Sequence, residues 1–119
     1  MTVLSVYSAT VSAANDNSLI AAPGAGKRIV PVFIALQNAT TTADVYILYS
    51  GVSATGTKLL TIRAQNQGDG VTLSTVFQPD PLGRAHMLAC GENLALVLNK
   101  AAAVGCNVTI WYFIGDLVA

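Results

Sequence analysis

Short extended runs, broken at regular intervals by turn chemistry, restrict this chain to sheets. Residues 3–11 alternate Leu4, Val6 and Ser8 against Val3, Ser5 and Tyr7. A turn cluster at 13–17 precedes a short strand at 18–22, which Pro23-Gly24-Ala25-Gly26 closes. Residues 28–36 (RIVPVFIAL) are nearly all apolar and rich in β-branched side chains. Residues 44–50 (DVYILYS) alternate, and so do 58–63, where Leu60 and Ile62 oppose Thr61 and Arg63. A Gly/Asp turn at 66–70 leads into a strand at 71–77, with Val71, Leu73 and Phe77 on one face. Pro79-Asp80-Pro81-Leu82-Gly83 breaks the chain. Residues 94–99 and 107–114 end it as an expected hairpin turning near Ala102. Turn signals about every 8–12 residues are the mark of an all-β sandwich or barrel. The expectation is one domain over residues 1–119: an antiparallel β-sandwich, jelly-roll-like, with eight or nine short strands. Alanine-rich stretches at 85–90 and 100–105 could make a helical turn, but Gly91 and Gly105 limit their length.

Two of these strands are apolar on both faces. In 107–114, Val108, Ile110, Tyr112 and Ile114 share one face, while Trp111 and Phe113 sit with Thr109 on the other. A two-layer sandwich wets its outer face, so a second apolar face lies under a loop, in the closed middle of a barrel, or against another subunit, and the low charge content favours the subunit. The run at 28–36 has the same double character, and Pro31 within it cannot donate a ladder hydrogen bond, so that strand must be an edge or bulged there. Pro31, Phe33, Trp111 and Phe113 are therefore the candidate subunit-interface residues.

Composition agrees. The chain is 53% hydrophobic and 10% charged, against about 25% charged in ordinary soluble domains. Such a surface is expected to face other protein chains. Six basic residues balance six acidic ones, with no cluster to neutralise phosphates or to dock on an anionic membrane. No window reaches the ~20 apolar residues of a spanning helix. No basic residue precedes Lys27, so the start does not read as a secretion signal. The two cysteines, Cys90 and Cys106, are expected to be buried and reduced after cytoplasmic synthesis, because the expected hairpin separates them along its strands.

Catalytic signatures are weak throughout. Gly24-Ala25-Gly26-Lys27-Arg28 superficially resembles a phosphate-binding loop, but that motif needs Gly at position 21 and Ser or Thr at 28, where this chain has Ala21 and Arg28. A strand follows rather than a helix, so the expected role is a tight turn with Lys27 and Arg28 solvated at its rim. His86 is the sole histidine, and no nucleophile elbow surrounds it. Metal-ligand spacing is lacking, and the acids Asp16, Asp44, Asp69, Asp80, Glu92 and Asp116 are scattered. Sequons at Asn38 and Asn107 read as coincidence. No enzyme, cofactor or metal is expected.

From Leu19 to Tyr112 the order of phrases resembles small virion proteins of tailed bacteriophages: LIAAPGAGKRIVPVFIAL, VYILYSG, FQPDPLGR and ACGENLALVLNKAAAVGCNVTIWYF. The resemblance implies a non-enzymatic structural protein of the virion, made in the host cytoplasm. Its implied role is a capsid decoration (cement) protein, a homo-oligomer and most readily a trimer, bound to the major capsid protein or another virion protein. The alternative is a receptor- or glycan-binding head-fibre or tail-tip protein using Tyr7, Tyr46, Tyr49 and Trp111. Neither nucleic acid nor membrane is an expected partner.

Overall fold

The period-two runs are strands. The computed structural model describes residues 4–74 and 89–116, and eight strands run through them. They are β1 Ser5–Val11, β2 Asn15–Ile20, β3 Lys27–Asn38, β4 Asp44–Ser50, β5 Thr57–Ala64, β6 Gly70–Ser74, β7 Leu96–Lys100 and β8 Cys106–Asp116. Among the described residues there is no helix, so the alanine-rich stretch after Lys100 is a bend. The expected strand end at Phe77, the Pro79–Gly83 break, the alanine-rich residues 85–88 and His86 lie outside the described residues. The turn expected at 13–17 is largely strand. β2 starts at Asn15, which takes a positive φ of 66°, a conformation that asparagine tolerates better than most residues.

Two four-stranded sheets result, β1-β8-β3-β6 and β2-β7-β4-β5, and every pairing is antiparallel. The chain changes sheet between every pair of consecutive strands except β4 and β5. This is a double-sheet jelly roll. Period-two burial explains the packing between the sheets. β3 contributes Ile29, Ile34 and Leu36, β4 Tyr46 and Leu48, β7 Leu96 and Leu98, and β8 Val108 and Ile110 to one buried cluster. Full burial of each aliphatic side chain stabilises by roughly 1.5–3 kcal/mol.

The expected closing hairpin does not form. β7 pairs with β2 and β4, whereas β8 pairs with β1 and β3. Leu98 lies opposite Leu48 and Asn17, and Cys106 opposite Val11 and Asn38. The connection from Ala101 to Gly105 therefore arches between sheets instead of turning within one. Strand periodicity is the same in either case and cannot separate them.

Pro31 is accommodated by a bulge. β3 is an interior strand, and its register against β8 shifts between Pro31, opposite Tyr112, and Phe33, opposite Trp111. Val32 is the extra residue. Without it Phe33 would share the inward phase of Ile29 and Pro31; the bulge turns Phe33 outward and leaves Ile34 facing the core.

Candidate subunit interface

The outer face of sheet β1-β8-β3-β6 follows from register alone. Val6 of β1 lies opposite Trp111 of β8, which lies opposite Phe33 of β3. The next row toward the far end holds Ser8, Thr109, Ala35 and Thr72, and the row after it Thr10, Asn107, Gln37 and Gly70. None of these residues is charged. Ser8 and Thr109 hydroxyls lie 3.4 Å apart, and the Thr10 hydroxyl donates to Asn107 Oδ1 at 2.9 Å. These contacts hold the polar rows flat. Val6 is 51% exposed and Trp111 42%, and Leu4 on the same phase of the chain is 50% exposed.

Of the four candidate residues, three meet on this face. Phe33 and Trp111 are direct cross-strand partners, and Phe113 follows Trp111 on the same phase, half-buried opposite the fully buried Val30. Pro31 does not join them. It is buried opposite Tyr112, whose ring packs against the core. Val6 was not among the candidates; its alternation with Ser5 and Tyr7 separates two faces without saying which points outward. Tyr46 and Tyr49 are buried and offer no ring to a ligand.

A second constellation was missed. Lys100 and Asp44 have side chains with no exposure and form an ion pair at 2.5 Å. Lys100 Nζ also donates to the carbonyls of Ala102 at 2.9 Å and Val104 at 2.6 Å, and stands 5.5 Å from the centre of the Tyr46 ring. Asp44 Oδ1 accepts backbone N–H groups from Val45, Ala101 and Ala102. Each ammonium proton and both carboxylate oxygens are satisfied, as a buried charge requires. The pair clasps the β7–β8 arch to the start of β4. The signal was present in the sequence: Leu96-Leu98-Lys100 and Asp44-Tyr46-Leu48 each continue an inward phase. Burial, then the neighbouring Cys106 and Asp44, push the Tyr46 hydroxyl above its usual range, and the polar neighbour of that hydroxyl is the weak Cys106 thiol, outside good hydrogen-bond geometry.

Both cysteines are unpaired and buried. Cys90 N donates to the Ile29 carbonyl, whereas Cys106 sits opposite Asn38 at the other end of β3. Nine residues of strand, about 30 Å, separate those ends, so no bridge can form. Burial pushes Cys90 up to about 11 against pulls from Ser50 and Arg28, and raises Cys106 as well.

The glycine loop after Pro23 is filled by the protein itself. Gly24 N donates to Asn93 Oδ1 at 2.9 Å and Gly26 N to Glu92 Oε2 at 2.8 Å. The amides that would cradle a phosphate are taken. Lys27 is exposed and ion-paired with Asp116 at 3.3 Å, and Arg28 is half-buried rather than solvated at a rim. Asn38 is buried, with its side chain folded onto Thr40 and Thr42, which suits a turn and not a glycan. Among the described residues, no group of three or more His, Cys, Asp and Glu side chains could hold a metal ion, and no helix is long and apolar enough to cross a membrane.

No family model and no curated protein matches the sequence. The fold does have a solved counterpart. A chain from Bacillus endospore appendages, described as a novel family of disulfide-linked pili, superposes with a TM-score of 0.52 at 16% identity, covering 99% of this chain and 92% of that one. At that identity the likeness is one of fold. It overturns the bacteriophage reading, both as a capsid decoration protein and as a receptor- or glycan-binding fibre or tip: the matching fold belongs to bacterial pili, not to a capsid. The phrases that carried that reading are turn and strand chemistry, and a jelly roll of any origin needs such turns.

Proposed function

We propose that this chain is a non-enzymatic structural subunit that associates with copies of itself. The Val6–Trp111–Phe33 row carries the reading: an apolar ridge continued on its Thr109 and Asn107 side by two rows without charge. Covering the exposed 42% of Trp111 would remove about 100 Å² of surface, worth about 2.5 kcal/mol per copy. The pilus chain of like fold supports an appendage-type setting. The bonding would differ from those disulfide-linked pili, because Cys90 and Cys106 are 1% and 0% exposed and cannot reach another subunit.

Sedimentation velocity and negative-stain microscopy of the wild type against Val6→Asp/Trp111→Asp test this. The wild type should assemble at micromolar concentration. The variant should lose the larger assemblies of the wild type with an unchanged β-sheet circular dichroism spectrum. A wild type that stays monomeric at tens of micromolar refutes the reading.

A further inference from the structure

Each sheet has two edges, and β5 and β2 are guarded by charge and by a register shift. Natural sheets blunt their edges with charge, bulges or brevity. β5 carries Lys58 and Arg63, and its pairing with β4 shifts register between Leu48 and Tyr49. β2 carries Asp16, which is held by Ser53 N and Asn99 Nδ2, and its pairing with β7 shifts between Ser18 and Ile20. β6 is described over Gly70–Ser74. β1 lacks all of these devices. Its seven residues, SVYSATV, contain no charge, proline or glycine, and they pair with β8 in unbroken register from Ser5–Tyr112 to Val11–Cys106. Ser5, Val6, Ser8, Ala9 and Thr10 are exposed, and among the described residues no strand lies on its far side.

We propose that β1 pairs edge to edge with β1 of a second copy, antiparallel and centred on Ser8, joining two four-stranded sheets into one of eight strands. The inference rests on the self-association reading above and names a contact distinct from the apolar ridge. Charge selects the occupant. A β1–β1 contact brings no like charges together and uses all seven residues, whereas β5 and β2 would bring Lys58, Arg63 or Asp16 to the seam. A two-fold axis at Ser8 sets Tyr7 against Ala9, a large side chain against a small one, and Val6 against Thr10. Such an isologous pairing is the commonest symmetry of homo-oligomers. Combined with a separate contact through the ridge, it lets copies continue along a line instead of closing.

The test uses Ser8→Cys and Ser8→Lys in the full chain. A short bis-maleimide should join Ser8→Cys copies at least about tenfold faster than copies carrying Thr57→Cys on β5, because antiparallel neighbours sit about 5 Å apart. Cys90 and Cys106 are shielded by burial. Ser8→Lys sets like charges opposite each other, and should raise the dissociation constant at least about tenfold with an unchanged melting temperature. Equal cross-linking of the two cysteine variants in a wild type that still assembles overturns the edge pairing and leaves the ridge reading intact. So does a Ser8→Lys variant that associates like the wild type. A wild type that never assembles removes both.

Discussion

Replacing Lys100 with methionine removes the cation from a site that water does not reach. Asp44 Oδ2 then loses its partner, while Oδ1 still accepts three backbone N–H groups. The carbonyls of Ala102 and Val104 lose their donor, although Ala101 and Ala103 beside them are exposed, so water can reach that bend. Breaking one side of a buried pair costs about 3–5 kcal/mol. A chain of this length is stable by roughly 6–18 kcal/mol in all, so Lys100→Met should remove a large share and lower the melting temperature by about 10–20 °C. Asp44→Leu should cost more, because it strands the ammonium and three backbone donors together. Urea unfolding with a common slope measures both. A loss below about 1 kcal/mol for Lys100→Met, the scale of a surface pair, would show that the clasp is not shut from solvent.

Tyr46→Phe removes a buried hydroxyl whose polar neighbour is only the weak Cys106 thiol, so it should be neutral or stabilise by up to about 1 kcal/mol in the same urea assay; clear destabilisation would show that the Cys106 contact is a working hydrogen bond. At alkaline pH the sign follows from raised thiol values. With Cys90 moved from 9.0 to about 11, its contribution is whole below pH 9 and is lost as pH rises through 11, up to about 2.7 kcal/mol. Urea midpoints at pH 8 and 10.5 should therefore differ, and equal midpoints would show that the thiol is not desolvated. Gly70→Ala should abolish soluble protein, since a Cβ there would fall on the Leu36 carbonyl oxygen, and that strand pairing cannot give way cheaply. Soluble, cooperatively melting Gly70→Ala would refute that packing.

Local alternation made most of the fold legible. Residues 44–50 were a strand in both readings, and the two phases of 107–114 separate core from surface as the alternation implies. Pro31 showed that its strand was either an edge or bulged, and the three-dimensional pairing chose the bulge. What stayed hidden is non-local. Whether β7 and β8 form a hairpin or an arch depends on partners 46 to 107 residues away, and Lys100 needs Asp44 from another strand before its burial makes sense. The outward phase of Trp111 and Phe113 was legible because aromatics break the polar half of an alternation. That of Phe33 was not, because it depends on the extra residue, Val32.

The position of β8 between β1 and β3 also governs how this chain can fold. Ser8 and Thr109, which face each other across that seam, are 101 residues apart in sequence. Until β8 is in place, β1 has no neighbour in its sheet and β3 shows an apolar flank. Folding is therefore slow, in the millisecond-to-second range of sandwiches dominated by distant pairings, and it is all-or-none for this sheet. A ribosome that stalls before Cys106 would release a chain with two open strand flanks, a species prone to aggregate. Quality control should clear such truncated chains far faster than chains that keep β8.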